Sequence, residues 1–321
     1  MDVKTAFLHG DLDEDLHIRV PEGYTSSLGG NDPCFVFLHV DDLVIGGKNL
    51  EAFRSKISLA FDMKDLGELR YVLGMKVERD REKCRLFLTQ GLYIDNLLTT
   101  FGMQDCKSVS TPQVPGSRLL PRTDTNAPVA TINYRRGIGL LNYLVTCTRP
   151  DLAYSASCLA QFLNDPSSKH EAAFKHVLRY LSGTRSWGIT LGSCLFFYGL
   201  VGWKTSKQDV VSLSSTEAEY RSISNCCQDV CWLLELVSDF GLNVKARLLC
   251  DNQGAIALLK NPLYQHRTRH IKLCLHWCRQ LLNEGNISVE YVATNLMVAD
   301  VLTKSLTRIL HKTHCTALFI L

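Results

Sequence analysis

The sequence predicts a mixed chain, with an α+β region followed by helices and then by an α/β region. Three patterns carry this prediction: short apolar runs between acidic turns up to about residue 110, helical apolar spacing in the middle, and alternating strand and helix patterns afterwards. A length of 321 residues fits two domains of about 150 residues each. The predicted segments are 1–113 for the α+β region, 114–128 for a linker rich in Pro, Ser and Thr, 129–185 for a helical connection, 186–306 for the α/β region and 307–321 for an irregular tail.

The composition excludes several classes of protein. Apolar residues make up 46% of the chain and charged residues 21%, as in ordinary globular proteins, and a net charge of +3 does not by itself indicate a nucleic-acid partner. The thirteen cysteines are scattered and form no disulfide pattern, which favours a reducing compartment. The acidic start is unlike a secretory signal, and no apolar run reaches the ~20 residues that span a bilayer. We therefore expect an intracellular protein, cytoplasmic or nuclear and not secreted, with no membrane partner.

In the α+β region, residues 34–40 and 43–47 are apolar runs that predict the two strands of a hairpin. Asp41 and Asp42 lie between them. Burying an unpaired carboxylate costs several kcal/mol, so this acidic pair is either solvated at the turn or meets a cation. The later elements follow in order: a helix over 50–63, a strand–turn–strand over 69–90, and a helix over 90–103 that is closed by Gly102.

The middle and last parts of the chain have helical and then alternating patterns. Pro150 is predicted to open the second connecting helix, and Gly183 to stop the third. Ser214 and Glu217 form a capping box that predicts the start of a long amphipathic helix. The expected elements are helices over 134–148, 151–163 and 169–184, one or two strands over 188–206, a helix over 214–241, a strand over 246–251, a helix over 252–260, a strand over 287–293 and a helix from 297.

Acidic residues stand singly at the ends of apolar elements in both halves of the chain. The first half has Asp2 beside the Asp41–Asp42 pair, and the second has Glu219, Asp251 and Asp300. Converging carboxylates form a hard-oxygen cage that suits Mg²⁺, and two such ions ~3.5–4 Å apart can clamp a phosphoryl transfer. The pattern leaves plainer explanations open, since a solvated turn, a helix cap, a solvent-facing charge or a helix-dipole contact would use the same residues.

Several long motifs give the chain a resemblance to a known family. It resembles the polymerase and ribonuclease H region of the polyproteins of copia-type retrotransposons over nearly its whole length. The motifs stand in the family's order: MDVKTAFLHGDLDEDLHIRVPEGY, LHVDDLVIGG, MKDLGELRYVLGMKV, YRRGIGLLNYLVTCTRPDLAYS, HVLRYLSGT, GWKTSKQDVVSLSSTEAEY, LLCDNQGAIAL, NPLYQHRTRHI and VADVLTKSL.

The resemblance implies a fold and a chemistry. Residues 1–113 would be a partial reverse-transcriptase palm and residues 186–306 a ribonuclease H-like domain, with two Mg²⁺ ions at each site. The partners would be RNA, DNA and RNA–DNA hybrid, with deoxynucleoside triphosphates as the family's substrates. By the family's motifs, Asp2 and Asp41 match the metal ligands of the polymerase, and Asp42 matches their acidic neighbour. Phe7 matches the residue that selects deoxynucleotides, although it is equally well explained as an ordinary core residue. Glu219, Asp251 and Asp300 match ligands of the ribonuclease H.

The sequence also departs from the family in ways that predict loss of activity. The fingers segment expected before Asp2 is absent, and nine residues stand where the family has a long palm segment after its first motif. Between Glu171 and Asp209 there is no acidic residue, although ribonuclease H needs a first Asp there. We therefore predict a defective copy, impaired in binding deoxynucleoside triphosphates, whose apolar palm strands lack packing partners. The alternative function is a non-catalytic nucleic-acid-binding or purely structural remnant.

Other motifs admit two interpretations each. Trp203, Lys204 and Lys207 could line a nucleic-acid groove or form a simple turn, and the basic run with Arg267, Arg269 and His270 could bind phosphates or be a solvated loop. A zinc site from His270, Cys274, His276 and Cys278 is conceivable, but the cysteines also fit a helix core. A small-molecule enzyme is disfavoured because the sequence has no Walker loop, dinucleotide motif or nucleophile elbow.

Overall fold

The computed structural model describes residues 2–3, 34–40, 42–47, 50–61, 63–122, 128–194, 196–198, 200–205, 214–239, 241–260 and 272–320. These residues form helices and sheets together, which confirms the α+β class. By internal packing, the chain divides into two compact units. The first unit holds residues 1–69 with 227–246, and the second holds residues 70–226 with 247–321. None of the helices in these ranges is long and apolar enough to cross a lipid bilayer.

The first unit contains a small antiparallel sheet. Its strands are β1 (Asp2–Val3), β2 (Cys34–His39), β3 (Asp42–Gly47) and β4 (Met63–Lys64), in the order β2–β3–β1–β4. The pairing of β2 with β3 confirms the predicted hairpin, and helix α1 (Leu50–Ala60) follows as expected. Phe37 and Leu38 in β2 are 51% and 63% exposed. Leu43 of β3 is 6% exposed, and the loss of packing partners expected for the palm strands stays a prediction.

The second unit is built on a five-stranded antiparallel sheet. Its strands in spatial order are β5 (Tyr71–Val72), β6 (Met75–Asp80), β7 (Arg85–Thr89), β8 (Gly188–Cys194) and β9 (Phe196–Tyr198). Strands β7 and β8 approach so closely that a Cβ on Gly188 would lie 2.0 Å from the Leu88 carbonyl oxygen, so only glycine fits there. One sheet thus joins segments assigned to the α+β and α/β regions, and the segment boundaries stay a prediction.

Four helices form the main core of the second unit. They are α2 (Gly91–Thr100), α3 (Tyr134–Cys147), α4 (Ala153–Ala160) and α5 (Ser168–Gly183). Helix α2 ends as predicted, with Gly102 in the left-handed region at φ 63°. Leu141, Leu144 and Phe174 are fully buried between these helices. Burial of the apolar face of each helix stabilises their packing. The middle segment therefore serves as the packing connection that its helical periodicity predicted.

The remaining elements follow in chain order. They are α6 (Ser215–Asp239), β10 (Ala246–Cys250), α7 (Gln253–Lys260), α8 (Lys272–Glu284), β11 (Ile287–Tyr291), 3-10 helices over Thr294–Leu296 and Val298–Leu302, and α9 (Arg308–Ala317). Strands β10 and β11 hydrogen-bond to each other. The expected helix from residue 297 is the second of the two 3-10 helices. Helix α9 corrects the expectation of an irregular tail.

The tail is ordered because it carries a buried face at helical spacing. His311, His314 and Cys315 lie three and four residues apart and are all buried. Ile320 is fully buried as well, and it forms an antiparallel bridge with Ile189 of β8. The helical spacing of His311, His314 and Cys315 explains why this segment is a helix and not the predicted irregular tail.

A buried polar network joins residues 149–151 to helix α5 and helix α9. The Arg149 guanidinium donates to both carboxylate oxygens of Asp151, at 2.9 and 2.8 Å, and to the backbone and side chain of Thr184. The Tyr180 hydroxyl donates to Asp151 at 2.7 Å, so the His311 Nε2–H is the group that donates to the Tyr180 oxygen at 2.9 Å. Both members of the ion pair are fully buried, and every charge in the network therefore depends on its neighbours.

Burial and charge act against each other on this ion pair. Desolvation alone would raise the pKa of Asp151, but the positive charge and hydrogen bonds of Arg149 outweigh it and hold that pKa below its usual value. Burial likewise lowers the pKa of His311, which keeps its imidazole neutral beside the guanidinium. The network is thus a satisfied structural feature of the second unit.

Candidate carboxylate metal site

The first acidic side chain of the site lies on the opening turns of α6. As the capping box predicts, the Ser214 hydroxyl accepts a hydrogen bond from the Glu217 backbone N–H at 3.1 Å. Glu217 is buried and pairs with Arg221 at 3.0 Å on one face of the helix. Glu219, two residues further along, is free of that pair and lies near the end of β10.

The second acidic side chain directly follows β10. The sequence left open whether Asp251 caps the next helix. In the structure, Asn252 does this instead, since its Oδ1 accepts from the Ala255 N–H at 3.0 Å at the start of α7. Asp251 is therefore available to contribute a carboxylate beside Glu219, as expected for a residue at the carboxyl end of a strand.

The third acidic side chain belongs to the 3-10 helix Val298–Leu302. The side chain of Asp300 is 13% exposed, and its carboxylate forms an ion pair with the Lys304 ammonium at 2.8 Å. Asp300 also lies in the first turn of this 3-10 helix, and its ion pair has the i,i+4 spacing. Lys304 was not singled out from the sequence, although its spacing from Asp300 is the signal that could have found it.

Three acidic side chains that are distant in sequence therefore share one electrostatic site. Burial raises the pKa of Glu219 above its usual value, and the negative charges of Asp251 and then Asp300 raise it further, while Lys304 opposes them. Carboxylate oxygens of Glu219 and Asp251 and the Cys250 sulfur all lie within 4.8 Å of one another. Like charges held this close favour the uptake of a proton or a cation.

The acidic residues predicted for the polymerase are only partly described. In the first unit, Asp2 of β1 pairs with Asp42 of β3 across the antiparallel ladder. Asp41 and Phe7 lie outside the described residues. The register thus places two of the three predicted acidic positions opposite each other, and the polymerase site stays a prediction.

The residues predicted to bind nucleic acid are described in part as well. The Trp203 indole N–H donates to the Val145 carbonyl at 2.7 Å, and its ring packs on the cluster around Val301, so this ring is held against the protein. Lys204 is exposed. Lys207, Arg267, Arg269 and His270 lie outside the described residues, and nucleic-acid binding by this set stays a prediction.

The alternative zinc site in α8 stays a prediction, because the side chains of Cys274 and His276 lie outside the described part of the structure. Cys278 is fully buried, as the interpretation as a helix core expects, whereas His270 falls outside the described part of the chain. The clusters of metal-ligating atoms found in the described ranges are two others, one around Asp251 and one joining Asp151, His311 and Cys315. The second of these is the hydrogen-bonded network of Arg149, where a guanidinium already compensates the carboxylate.

Converging carboxylates are donors that divalent cations accept, and comparison with known sequences identifies the family. The family model described as "Reverse transcriptase (RNA-dependent DNA polymerase)" matches residues 24–115. The Pol polyprotein of transposon TNT 1-94 from Nicotiana tabacum is 32% identical over 96% of this chain and 30% of its own length. That of transposon RE1 from Arabidopsis thaliana is 33% identical over 87% of this chain and 21% of its own length. An uncharacterized mitochondrial protein of Arabidopsis thaliana is 31% identical over 62% of this chain and 93% of its own length.

The chain therefore belongs to the reverse transcriptase family of copia-type retrotransposon Pol polyproteins. It spans less than a third of the length of the two polyproteins. The alignment with the Nicotiana polyprotein runs over 393 positions, more than the 321 residues of this chain, so that relative contains residues with no counterpart here. No solved structure matches the chain.

Proposed function

We propose that this chain derives from the part of the polyprotein that combines RNA-directed DNA polymerase with ribonuclease H, and that this copy is defective in both reactions. Its partners by descent are RNA, DNA and RNA–DNA hybrid, in the cytoplasm or nucleus. The observation that carries the proposal is the shared electrostatic site of Glu219, Asp251 and Asp300. These are the positions that match three ribonuclease H carboxylates of the family.

The chemistry of an intact enzyme of this kind explains why carboxylates are needed. Two divalent ions activate the attacking oxygen and neutralise the phosphoryl group, and the protein contributes mainly positioning. Acidic side chains hold the ions, because hard oxygen donors are the ligands that Mg²⁺ prefers. Reverse transcriptases as a family use divalent metal, so a metal dependence is the first property to test.

The donor set of this chain fits one ion better than two. Residues 172–208 contain no acidic residue, so the fourth carboxylate is missing from the sequence. Lys304 already compensates Asp300 at 2.8 Å, so Glu219 and Asp251 are the two carboxylates of the site that can meet an added cation. Two divalent ions need more negative charge than this, because each ion must be stripped of part of its water. We therefore derive no two-ion step from this site.

The polymerase half is supported by fewer observations. Asp2 lies opposite Asp42 in the ladder, which brings the first predicted motif to the hairpin of the second. The length of the alignment with the Nicotiana polyprotein is consistent with loss of an internal segment. Loss of an internal substrate-binding segment would remove positioning, which supplies most of the rate in phosphoryl transfer.

Two assays on the purified full chain test the proposal. One is primer extension on an RNA template, and the other is cleavage of an RNA–DNA hybrid, each with Mg²⁺ and then with Mn²⁺. We expect no turnover above a buffer control in either assay. An intact reverse transcriptase is run beside the chain to show that the substrates are competent.

The variants Asp41→Asn and Asp251→Asn separate true activity from contamination. If the chain extends primers and Asp41→Asn abolishes this, the polymerase is intact and the proposed defect is wrong. If the chain cuts hybrid and Asp251→Asn abolishes the cleavage, the same holds for ribonuclease H. If both repurified variants keep the turnover of the wild type, the activity comes from a contaminating enzyme and not from this chain.

A further inference from the structure

Hydrogen bonds attach the tail segment, residues 307–320, to the rest of the second unit at its end and in its middle. At its end, the Thr190 N–H of β8 donates to the Phe319 carbonyl at 3.0 Å. In its middle, the buried His311 of α9 is hydrogen-bonded to the Tyr180 hydroxyl at 2.9 Å. Tyr180 lies on α5, so this second bond joins the tail segment to the helical core through a titratable side chain.

This arrangement requires a neutral imidazole at His311. The Tyr180 hydroxyl gives its proton to Asp151, so His311 donates from Nε2, and any further proton has to go to Nδ1. An imidazolium would lie beside the Arg149 guanidinium, which already compensates the Asp151 carboxylate. The buried network would then hold two cations and one anion, and burial of an uncompensated charge is costly.

The groups that face the imidazole come from several elements of the second unit. Burial has the largest effect and lowers the pKa of His311. The negative charge of Asp151 opposes this effect, and the positive charge of Arg149 reinforces it. The charged and titratable groups around the ring are Arg149 and Asp151 before α4, Tyr180 on α5, Lys304 across a small cavity, and His314 and Cys315 on α9 itself.

The small cavity gives solvent a route to the His311 ring. His311, Asp151, Ser155 and Lys304 are among the residues that line it. The side chain of Lys304 is 54% exposed, so the cavity meets solvent on that side. A proton can therefore reach the imidazole without unfolding of the second unit.

We propose that the tail segment is released by acid: it lies against the second unit while His311 is neutral and leaves the unit when His311 takes up a proton. In the released segment the imidazole is solvated and titrates as an ordinary histidine, so release is coupled to the binding of one proton from solvent at Nδ1. Acid therefore favours release, and the effect begins as the pH falls below about 6.5. The proposal goes beyond the proposed function and does not use its carboxylate site.

The neighbouring carboxylate does not titrate in the same range. Burial would raise the pKa of Asp151, but Arg149 holds that pKa below its usual value. Asp151 therefore stays ionised while His311 changes its charge, and the two groups can be separated by pH.

Labelling of the Cys315 thiol measures the release in the full chain. Cys315 lies one turn after His311 on α9 and is fully buried, so a thiol reagent reaches it only when the segment opens. The reduced protein is treated with a dipyridyl disulfide, which also reacts in acid, and the labelled peptides are identified by mass spectrometry. The rate at Cys315 is divided by the rate at the exposed Cys84, which removes the pH dependence of the reagent. We expect this ratio to rise about threefold or more from about pH 7.5 to about pH 5.5.

Two glutamine variants assign the effect to one histidine. His311→Gln cannot be protonated, but its amide N–H can still donate to Tyr180, so we expect it to keep the wild-type circular dichroism spectrum and to lose the rise in the ratio. His176→Gln is the matched control, because His176 lies on α5 with its ring 3.1 Å from the Thr111 carbonyl and not on the tail segment. This control should show the same rise as the wild type.

Three results would overturn the proposal. They are a ratio that does not change with pH in the wild type, a ratio that rises equally in His311→Gln, and a parallel rise at the buried Cys250, which would mean that the whole unit opens. If His311→Gln does not fold, amide hydrogen exchange of the wild type decides, after correction for the intrinsic pH dependence. Residues 308–317 should then lose protection in acid while residues 134–147 keep theirs, and equal loss in both overturns the proposal. These measurements do not depend on turnover, so they and the activity assays can fail separately.

Discussion

Replacing Arg149 with Met should lower the free energy of unfolding by about 3–5 kcal/mol. The substitution keeps much of the side-chain volume but removes the guanidinium that donates to Asp151 and Thr184. It leaves a carboxylate with no exposure to water without its cationic partner. It also removes the contacts of the guanidinium with the rings of Tyr180 and Trp187, at 5.5 and 5.8 Å. Urea unfolding followed by circular dichroism measures the change.

The surface ion pair of Arg185 and Asp95 gives the matched control. Its charges are 3.2 Å apart and each side chain is about half exposed, at 49% and 44%. Because water screens such pairs, Arg185→Met should cost less than about 1 kcal/mol. If Arg149→Met costs no more than Arg185→Met, then the buried network does not stabilise the second unit.

Replacing Ile320 with Ala should cost about 2–5 kcal/mol, although the residue lies at the end of the chain. Ile320 is fully buried in a cluster with Ala153, Val301 and Cys315, so the substitution opens a cavity there. The same change at Ile309, which is 79% exposed on α9, should stay within about 0.5 kcal/mol. Equal effects at both positions, measured by the same urea unfolding, would contradict the packing of the tail.

Local elements of the fold could be predicted because their signals lie close together in sequence. The hairpin of β2 and β3 follows from two apolar runs around an acidic pair, and α2 ends where Gly102 permits a left-handed turn. The start of α6 follows from the spacing of Ser214 and Glu217. Each of these elements depends on residues that are close in sequence, and even in the hairpin the most distant pair, Cys34 and Gly47, is thirteen positions apart.

The long-range pairing could not be predicted in the same way. Strands β7 and β8 lie about a hundred residues apart, and nothing in either run names the other as its partner. The close approach of Gly188 to Leu88 appears only in three dimensions. The tail is a different case, because the prediction of an irregular segment does not use the helical spacing of His311, His314 and Cys315, the residues that become buried.

The acidic residues of the candidate site could be predicted from the sequence, but the other residues of the site could not. Glu219, Asp251 and Asp300 could be named because the family resemblance marks them, and their proximity is a matter of topology. Two further members of the site emerge only from the structure: the Cys250 sulfur lies within 4.8 Å of the Glu219 and Asp251 carboxylates, and Lys304 pairs with Asp300 at 2.8 Å.

Titration of the Glu219 carboxyl tests directly whether three acidic side chains that are distant in sequence share one site. Selective ¹³C labelling of glutamate, with Glu219→Gln to assign the signal, gives the pKa by NMR. We expect the pKa of Glu219 in the wild type to lie above the usual value of a glutamate carboxyl, because burial and like charges disfavour the ionised form. Asp251→Asn should lower this pKa by removing a negative charge, and Lys304→Met should raise it by removing the opposing positive charge.

Asp80→Asn, at the distant end of β6, serves as the control because Asp80 is not among the charges that act on Glu219. The pKa of Glu219 should decrease in Asp251→Asn and stay unchanged in Asp80→Asn. A pKa of Glu219 that is indifferent to both Asp251→Asn and Asp300→Asn would contradict the shared site.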